Sequence, residues 1–384
     1  MRHLNSVFHG LLKLIPWHAF DRLVDEHGSD QLVRKFTTRH QFIALLFGQL
    51  EGVNSLRGIE ATMESHRARL YHIGARVPSR STFADANRLR SPSVFSSLFD
   101  HMLATATRGF KRQMAETVRL IDATSLPLAG LGAQWAHFSA KTCGAKAHII
   151  YDPDLGCPLY HVVTTAKIND ITAAKSMPIE AGATYVFDLG YYDYAWWAQL
   201  HERGCRIVTR FKTNTPLRDA QTLKLPADSQ LLSDRIGFLP ARQTKSRRNP
   251  MSDAVREIVV KTDTGKTLRI LSNDLDAPAQ EIADLYKRRW QIELFFRLMK
   301  QTLRITKFIG RSENAVRIQV AVALIAYLLL HLLRTASKAN HGFLELSRLV
   351  RTNLMHRKDV TSLKLATPPP RRDPRQLTLK WADA

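Results

Sequence analysis

Tyr286, Arg289, Glu293 and Lys300 share one unbroken stretch of the chain. At about 100° per residue they fall within an arc of roughly 60° on a helix, so one face would carry a phenol, two cations and a carboxylate. Two further acids, Asp122 and Asp188, each directly follow a β-rich apolar run. Open α/β sheets present their ligand-binding residues at such strand ends. Asp122, Asp188 and Glu293 are therefore the candidate catalytic and metal-binding residues. Three hard oxygen donors with room for water suit Mg2+ or Mn2+ in phosphoryl transfer. The arrangement suits two ions, one activating a water or a DNA 3′-hydroxyl and the other stabilising the leaving oxygen. Asp193, five residues after Asp188, is a rival ligand. Trp290 falls on the side of the helix away from its apolar stripe; it could stack on an unpaired base or fill an interdomain contact.

These side chains need elements to hold them. Pro278 suits the first turn of a helix that nothing breaks before residue 303, and Leu285, Ile292, Phe296, Met299 and Leu303 form its buried stripe. Strands are expected at 118–121, 145–151, 158–164, 184–187 and 206–211, with helices at 171–180 and 191–202. Pattern alone supports a mixed α/β sheet covered by helices. Residues 212–274 add strand candidates at 232–239, 255–261 and 267–271, the last two joined as a hairpin. The basic loop 242–250 could lie along a phosphate backbone or simply be solvated. A nearly all-apolar helix at 314–336 implies burial under the sheet.

Residues 1–113 show helical spacing and no strand alternation. Arg57, Arg67, Arg69, Arg76, Arg80, Arg88 and Arg90 cluster there, which suits either a DNA-binding domain or a helical bundle with a basic surface. The expected division is a helical N-terminal DNA-binding domain (1–113), a first catalytic part (114–211), a β-rich insertion (212–274), a helical second catalytic part (275–340) and a basic tail (341–384).

Composition narrows the partners. Lys plus Arg exceed Asp plus Glu by 56 − 34 = 22, and 45% of the 384 residues are hydrophobic. A globular protein attracted to polyanions follows, with nucleic acid the first candidate and an anionic membrane surface the alternative. Cys143, Cys157 and Cys205 are too scattered for a disulfide framework or a zinc ribbon. The apolar run 320–330 is shorter than the roughly 20 residues a membrane span needs, and no signal-peptide core is evident, so a cytoplasmic, nucleoid-associated protein without a membrane partner is expected. No Gly-rich phosphate loop is present, so no nucleotide cofactor is expected.

The spacing Y-x2-R-x3-E-x6-K, from Tyr286 to Lys300, resembles the signature of DDE transposases of bacterial insertion sequences, specifically the insertion-sequence-four family. Asp122-Ala-Thr and Phe187-Asp-Leu-Gly-Tyr-Tyr-Asp193 resemble that family's first two motifs, although Leu189 stands where a basic residue is common. Asn169-Asp170 also looks family-like, though a helix cap explains Asp170. The resemblance implies a ribonuclease-H-like catalytic core interrupted by a β-rich insertion. It also implies Tyr286, Arg289 and Lys300 gripping phosphates of double-stranded DNA at the element's ends, and a homodimer that synapses them. The implied activity is cleavage at the terminal inverted repeats and joining of 3′-hydroxyls to target DNA. The alternatives are a sequence-specific DNA-binding protein without catalysis and a metal-dependent nuclease that does not join.

Overall fold

The computed structural model describes residues 5–108, 117–128, 134–139, 142–225, 231–244, 246–262, 265–337 and 341–363. Helices fill the first part: α1 (Val7–Leu12), α2 (Trp17–Glu26), α3 (Thr38–Glu51), α4 (Leu56–Ser65), α5 (Arg67–Leu70), α6 (Arg80–Leu89) and α7 (Ser93–Thr107). Their starts are set locally. Ser6, Thr37, Ser55 and Ser79 each accept a backbone N–H from three residues on, satisfying a donor the helix leaves orphaned. Helix α3 is the hub of this layer, with Phe42, Ile43, Leu46 and Phe47 fully buried.

The strands are β1 (Val118–Leu128), β2 (His137–Ser139), β3 (Thr142–Asp152), β4 (Cys157–Thr165), β5 (Thr184–Phe187), β6 (Arg206–Arg210), β7 (Arg218–Thr222), β8 (Leu231–Phe238), β9 (Arg242–Thr244), β10 (Arg247–Arg248), β11 (Val255–Lys261) and β12 (Thr267–Ser272). Ten of them make one sheet in the order β4-β3-β1-β5-β6-β12-β11-β8-β7, with β2 also on β3. β3 runs antiparallel to both β1 and β4, whereas β5 and β6 run parallel to β1. Two short crossover helices, α8 (Asp170–Ala174) and α9 (Tyr194–Glu202), make those parallel connections. A meander followed by two parallel strands fits a ribonuclease-H-like α/β core.

The structure departs from expectation in five places. Asp122 does not end its strand. β1 runs on to Leu128, and Asp122 sits in mid-strand opposite Ile149, because a long β3 supplies partners through Cys143. The segment 212–274 is not a separate unit either: β12 pairs antiparallel with β6, Ile270 opposite Arg210, so the added strands extend the core sheet out to β7. The helix through Glu293 is divided. α10 (Ala279–Arg288) and α11 (Trp290–Gln301) meet at Arg289, where i→i−3 bonds from Arg289 N–H to the Tyr286 carbonyl and from Ile292 N–H to the Arg289 carbonyl tighten the turn.

The fourth departure concerns α12 (Glu313–Ala336). It is long and apolar enough to cross a membrane, but 83% of its most apolar window is buried. Its burial comes mainly from α3, α6 and α7, with β4 as a lesser contact, not from the sheet alone. The apolar side chains of the N-terminal helices, the central strands and α10 to α12 therefore form one continuous cluster. Fifth, the expected tail beyond residue 340 contributes a helix, α13 (Phe343–Asn353), which buries Leu346, Leu349 and Val350 against α3 and α12. Arg351 fixes it by donating to the carbonyls of Leu50 and Thr302. Residues from 364 on lie outside the described part.

Candidate active site

Three elements bring the acids to one place. β1 carries Asp122, the end of β5 carries Asp188, and α11, packed on β1, carries Glu293. Asp188 caps the 3-10 turn Leu189–Tyr191, its Oδ1 accepting from Gly190 N–H at 2.8 Å. Asp122 Oδ1 accepts from its neighbour Ala123 N–H at 2.7 Å. Its carboxyl is pushed up to about 7, first by burial and then by the negative charges of Asp188 and Glu293, against which the Ala123 N–H and Arg289 pull it down. Burial outweighs the charges here, yet three acids so placed leave negative potential to be met.

Arg289 is the cation that meets part of it. Its guanidinium lies 2.6 Å from Glu293 Oε1 and 3.6 Å from Asp122 Oδ2, and it stands 5.7 Å from the centre of the Tyr286 ring. Nε of Arg289 is buried without a hydrogen-bond partner. Tyr286 is buried rather than at the surface, and burial raises the pKa of its hydroxyl. Lys300 lies close enough to feel Asp122, and burial lowers the pKa of its ammonium. With Asp122, Thr124, Glu293 and Arg297 it lines an open cavity of about 370 Å3. Trp290 is 52% exposed, at the rim of a second cavity of about 300 Å3 walled by Leu231, Val260, Leu268 and Ile270. Asp122, Glu293, Arg289 and Lys300 thus lie together, with Asp188 near enough to act on Asp122, whereas Trp290 borders the other cavity.

Among the described residues no three His, Cys, Asp or Glu side chains stand close enough to hold a metal ion as they are. With Arg289 between Asp122 and Glu293, these acids can chelate only if the guanidinium withdraws. The donor set itself fits a hard dication, being all carboxylate oxygen.

Other residues matter that sequence reasoning sets aside. A Cβ on Gly190 would lie 3.0 Å from Asp188 Oδ1 and 3.2 Å from Asp170 Oδ2, so Asp170 stands beside Asp188 across a position that glycine leaves open. Asp170 is paired with Lys146 at 2.9 Å and is the first residue of α8, the N-cap position being Asn169, whose side chain makes no capping bond. Tyr191 is fully buried with an unpartnered hydroxyl whose pKa is raised by burial and by Asp122, Asp170 and Asp188. Its aromatic character reads as core, and nothing local signals the acids around it. Asp193 has other work: it caps α9 through Trp196 N–H and pairs with Lys175 at 2.9 Å and Arg247 at 3.5 Å. The basic hairpin β9–β10 is accordingly tied down beside the site, with Gln243 also bonding the backbone of Tyr192 and Tyr194.

Residues 113–329, more than half of the chain, match the family model described as the Transposase DDE domain. The chain belongs to the DDE transposases. It is 36% identical over 298 residues to a Sinorhizobium fredii protein named as transposase y4zB, covering 76% of this chain and 82% of that one. A Geobacillus stearothermophilus protein named as the transposase for insertion sequence element IS5377 is 29% identical over 249 residues, 64% of each chain. Residues 3–76 of the transposase match a domain of unknown function. A cryo-EM structure of the piggyBac transposase synaptic complex with hairpin DNA aligns with TM-score 0.49 and 12% identity, over 92% of this chain and 81% of that chain.

Proposed function

We propose that this transposase, of the insertion-sequence-four type, binds the terminal inverted repeats of its element, cleaves DNA at the ends and joins the freed 3′-hydroxyls to target DNA. The observation that carries this reading is the gathering of Asp122, Asp188 and Glu293 beside Arg289 and Lys300. Two Mg2+ ions held by the three carboxylates would activate the attacking oxygen and stabilise the leaving one. The protein's own part is to make room and to grip. Arg289 gives up Glu293 and Asp122, and its planar fork then matches a DNA phosphate in two hydrogen bonds, the ring of Tyr286 holding the stem in place. Lys300 at the mouth of the cavity adds a point charge for a second phosphate. Trp290, half in solvent, offers a face on which an unpaired base can stack. A homodimer handles the two ends together, residues 1–113 supply most of the duplex binding, and the protein works at the bacterial nucleoid.

The test is strand transfer with labelled end DNA, a target plasmid and Mg2+. Asp188→Asn and Glu293→Gln are each expected to reduce joining at least a hundredfold while leaving duplex binding intact. Joining by either variant at the parental rate would refute the assignment, and cleavage by the parent without joining would make it a nuclease.

A further inference from the structure

The N-terminal layer holds a helix that is braced from below and bare above. On the inner side of α6, Phe83 and Ala86 are buried, and Asn87 Oδ1 accepts from Gln41 Nε2 of α3 at 2.8 Å. Arg90, just past its end, donates to Gln41 Oε1 at 3.0 Å and to the Phe36 carbonyl, and Asn314 of α12 donates to the Arg88 carbonyl at 3.1 Å. Arg90 is thus structural, although its neighbours in sequence are not. With Ser79 capping its start, α6 is held at both ends and along its base.

Its outer face is exposed from Arg80 to Leu89 wherever it does not meet the core. At about 100° per residue Ser81, Asp85 and Arg88 form the crown of that face, with Ala84 on one side and Leu89 on the other. Ser81 and Ala84 are small, which lets the helix backbone approach a groove floor closely. Asp85 and Arg88 pair at 3.1 Å but remain about 60% exposed, so either can exchange its partner for a ligand. Cations stand near the crown. Arg34 and Lys35 border the same cavity, of about 670 Å3, as Thr82, Asp85 and Leu89. Arg76, also exposed, sits near enough to act electrostatically on His40 at the start of α3. Among the described residues of α6 and the segments 31–35 and 74–79, Asp85 is the one exposed acid.

An exposed helix with small and charged residues at its crest and cations beside it has the charge of a helix that enters a groove between two phosphate rows. The major groove, about 12 Å wide, admits such a helix. A protein partner would call instead for a cluster of large aromatic or aliphatic anchors, and this face carries a single one, Leu89. We infer that α6 reads the sequence of the element's ends from the major groove, with Ser81, Asp85 and Arg88 on base edges and Arg34, Arg76 and Arg80 on flanking phosphates. An aspartate accepts from the cytosine amino group and an arginine donates to guanine, so the pair has a distinguishable code. The inference rests on the transposase reading above and adds to it which surface recognises the ends.

The experiment is fluorescence anisotropy with the full-length protein in chelator, comparing a duplex from the DNA immediately outside the coding region with a scrambled duplex of equal length and composition. The parent is expected to prefer the end duplex. The double substitution Asp85→Ala with Arg88→Ala should cut that preference about ten- to a hundredfold, the discrimination two base contacts provide, while affinity for the scrambled duplex changes about threefold or less. Arg34→Ala and Arg76→Ala should weaken both duplexes alike and flatten the log-log salt slope by about 0.9 each. Ala84→Glu, which puts a charge beside the crown, should abolish the preference; an unchanged melting temperature in each variant shows the fold is intact. Full preference in both the double variant and Ala84→Glu would overturn the α6 assignment alone. A parent that binds neither duplex, or binds RNA of the same sequence more tightly, would overturn it and the transposase reading together.

Discussion

Replacing Asp122 by Asn should stabilise the protein while abolishing its chemistry. The folded-state carboxyl titrates near 7, against 3.8 for the free side chain. At about 1.36 kcal/mol per pH unit, that displacement of roughly three units corresponds to about 4 kcal/mol at most. The sign follows from proton binding. Between pH 3.8 and about 7 the folded chain keeps a proton that the unfolded chain has released, so stability from this site falls as pH rises through the window and stays low above it. The substituted amide carries no charge to desolvate and still accepts from Ala123 N–H. The attraction to Arg289, at 3.6 Å, which the amide also gives up, is already contained in that net displacement. In metal-free buffer, urea unfolding followed by tryptophan fluorescence should find Asp122→Asn more stable by about 1–3 kcal/mol at pH 8. Its advantage should shrink by about 2 kcal/mol at pH 5.5. Adding Mg2+ should stabilise the parent and not the variant, because binding displaces the same proton. An advantage that does not change between the two pH values, or a variant less stable at pH 8, would refute the electrostatic argument.

Other perturbations test neighbouring parts. Arg289→Gln removes the cation lying between Asp122 and Glu293, so calorimetry should find Mn2+ bound to the DNA-free variant at least about fivefold more tightly than to the parent. Asp234 and Arg256, both buried and joined at 2.7 Å, anchor β8 to β11. Asp234→Ala alone should cost about 3–5 kcal/mol in urea unfolding, and the double change to Leu and Met should recover most of it. Gly237→Ala would place a Cβ 2.5 Å from the Arg218 carbonyl, so hydrogen exchange should report loosened pairing of β7 with β8 and a loss of about 1–3 kcal/mol. Binding of duplex DNA by the parent should weaken steeply with salt, with a log-log slope of about −0.9 for each phosphate contacted.

What can be read from sequence is what is encoded locally. Glu293, Arg289 and Lys300 follow from one helical period, and Asp188 from a four-residue apolar strand that stops where its apolar run stops. Asp122 is legible as a residue but not as a position in the sheet. The run Ala123 to Leu128, with its Ser and Pro, lacks the β-branched density of a strand, and only the partner β3 makes it one. Asp170 and Tyr191 escape sequence reading because their relation to Asp188 runs across a glycine in space, which no spacing shows. Seven arginines in the N-terminal part look alike in sequence. Arg90 is buried in a hydrogen-bond network, Arg67 is paired with Glu64, and Arg69 donates to the Met355 carbonyl, while Arg76 and Arg80 are exposed. Their partners sort them, and those of Arg90 and Arg69 lie 49 to 286 residues away along the chain.

Helix α12 has a consequence for how the molecule is made. The faces of α3, α6 and α7 that it covers are translated long before it is, and until residue 336 has left the ribosome they have no permanent partner. A product truncated ahead of residue 313 would expose that apolar surface and be a substrate for chaperones and proteases. The cell is thereby spared a stable fragment made of the N-terminal helices alone.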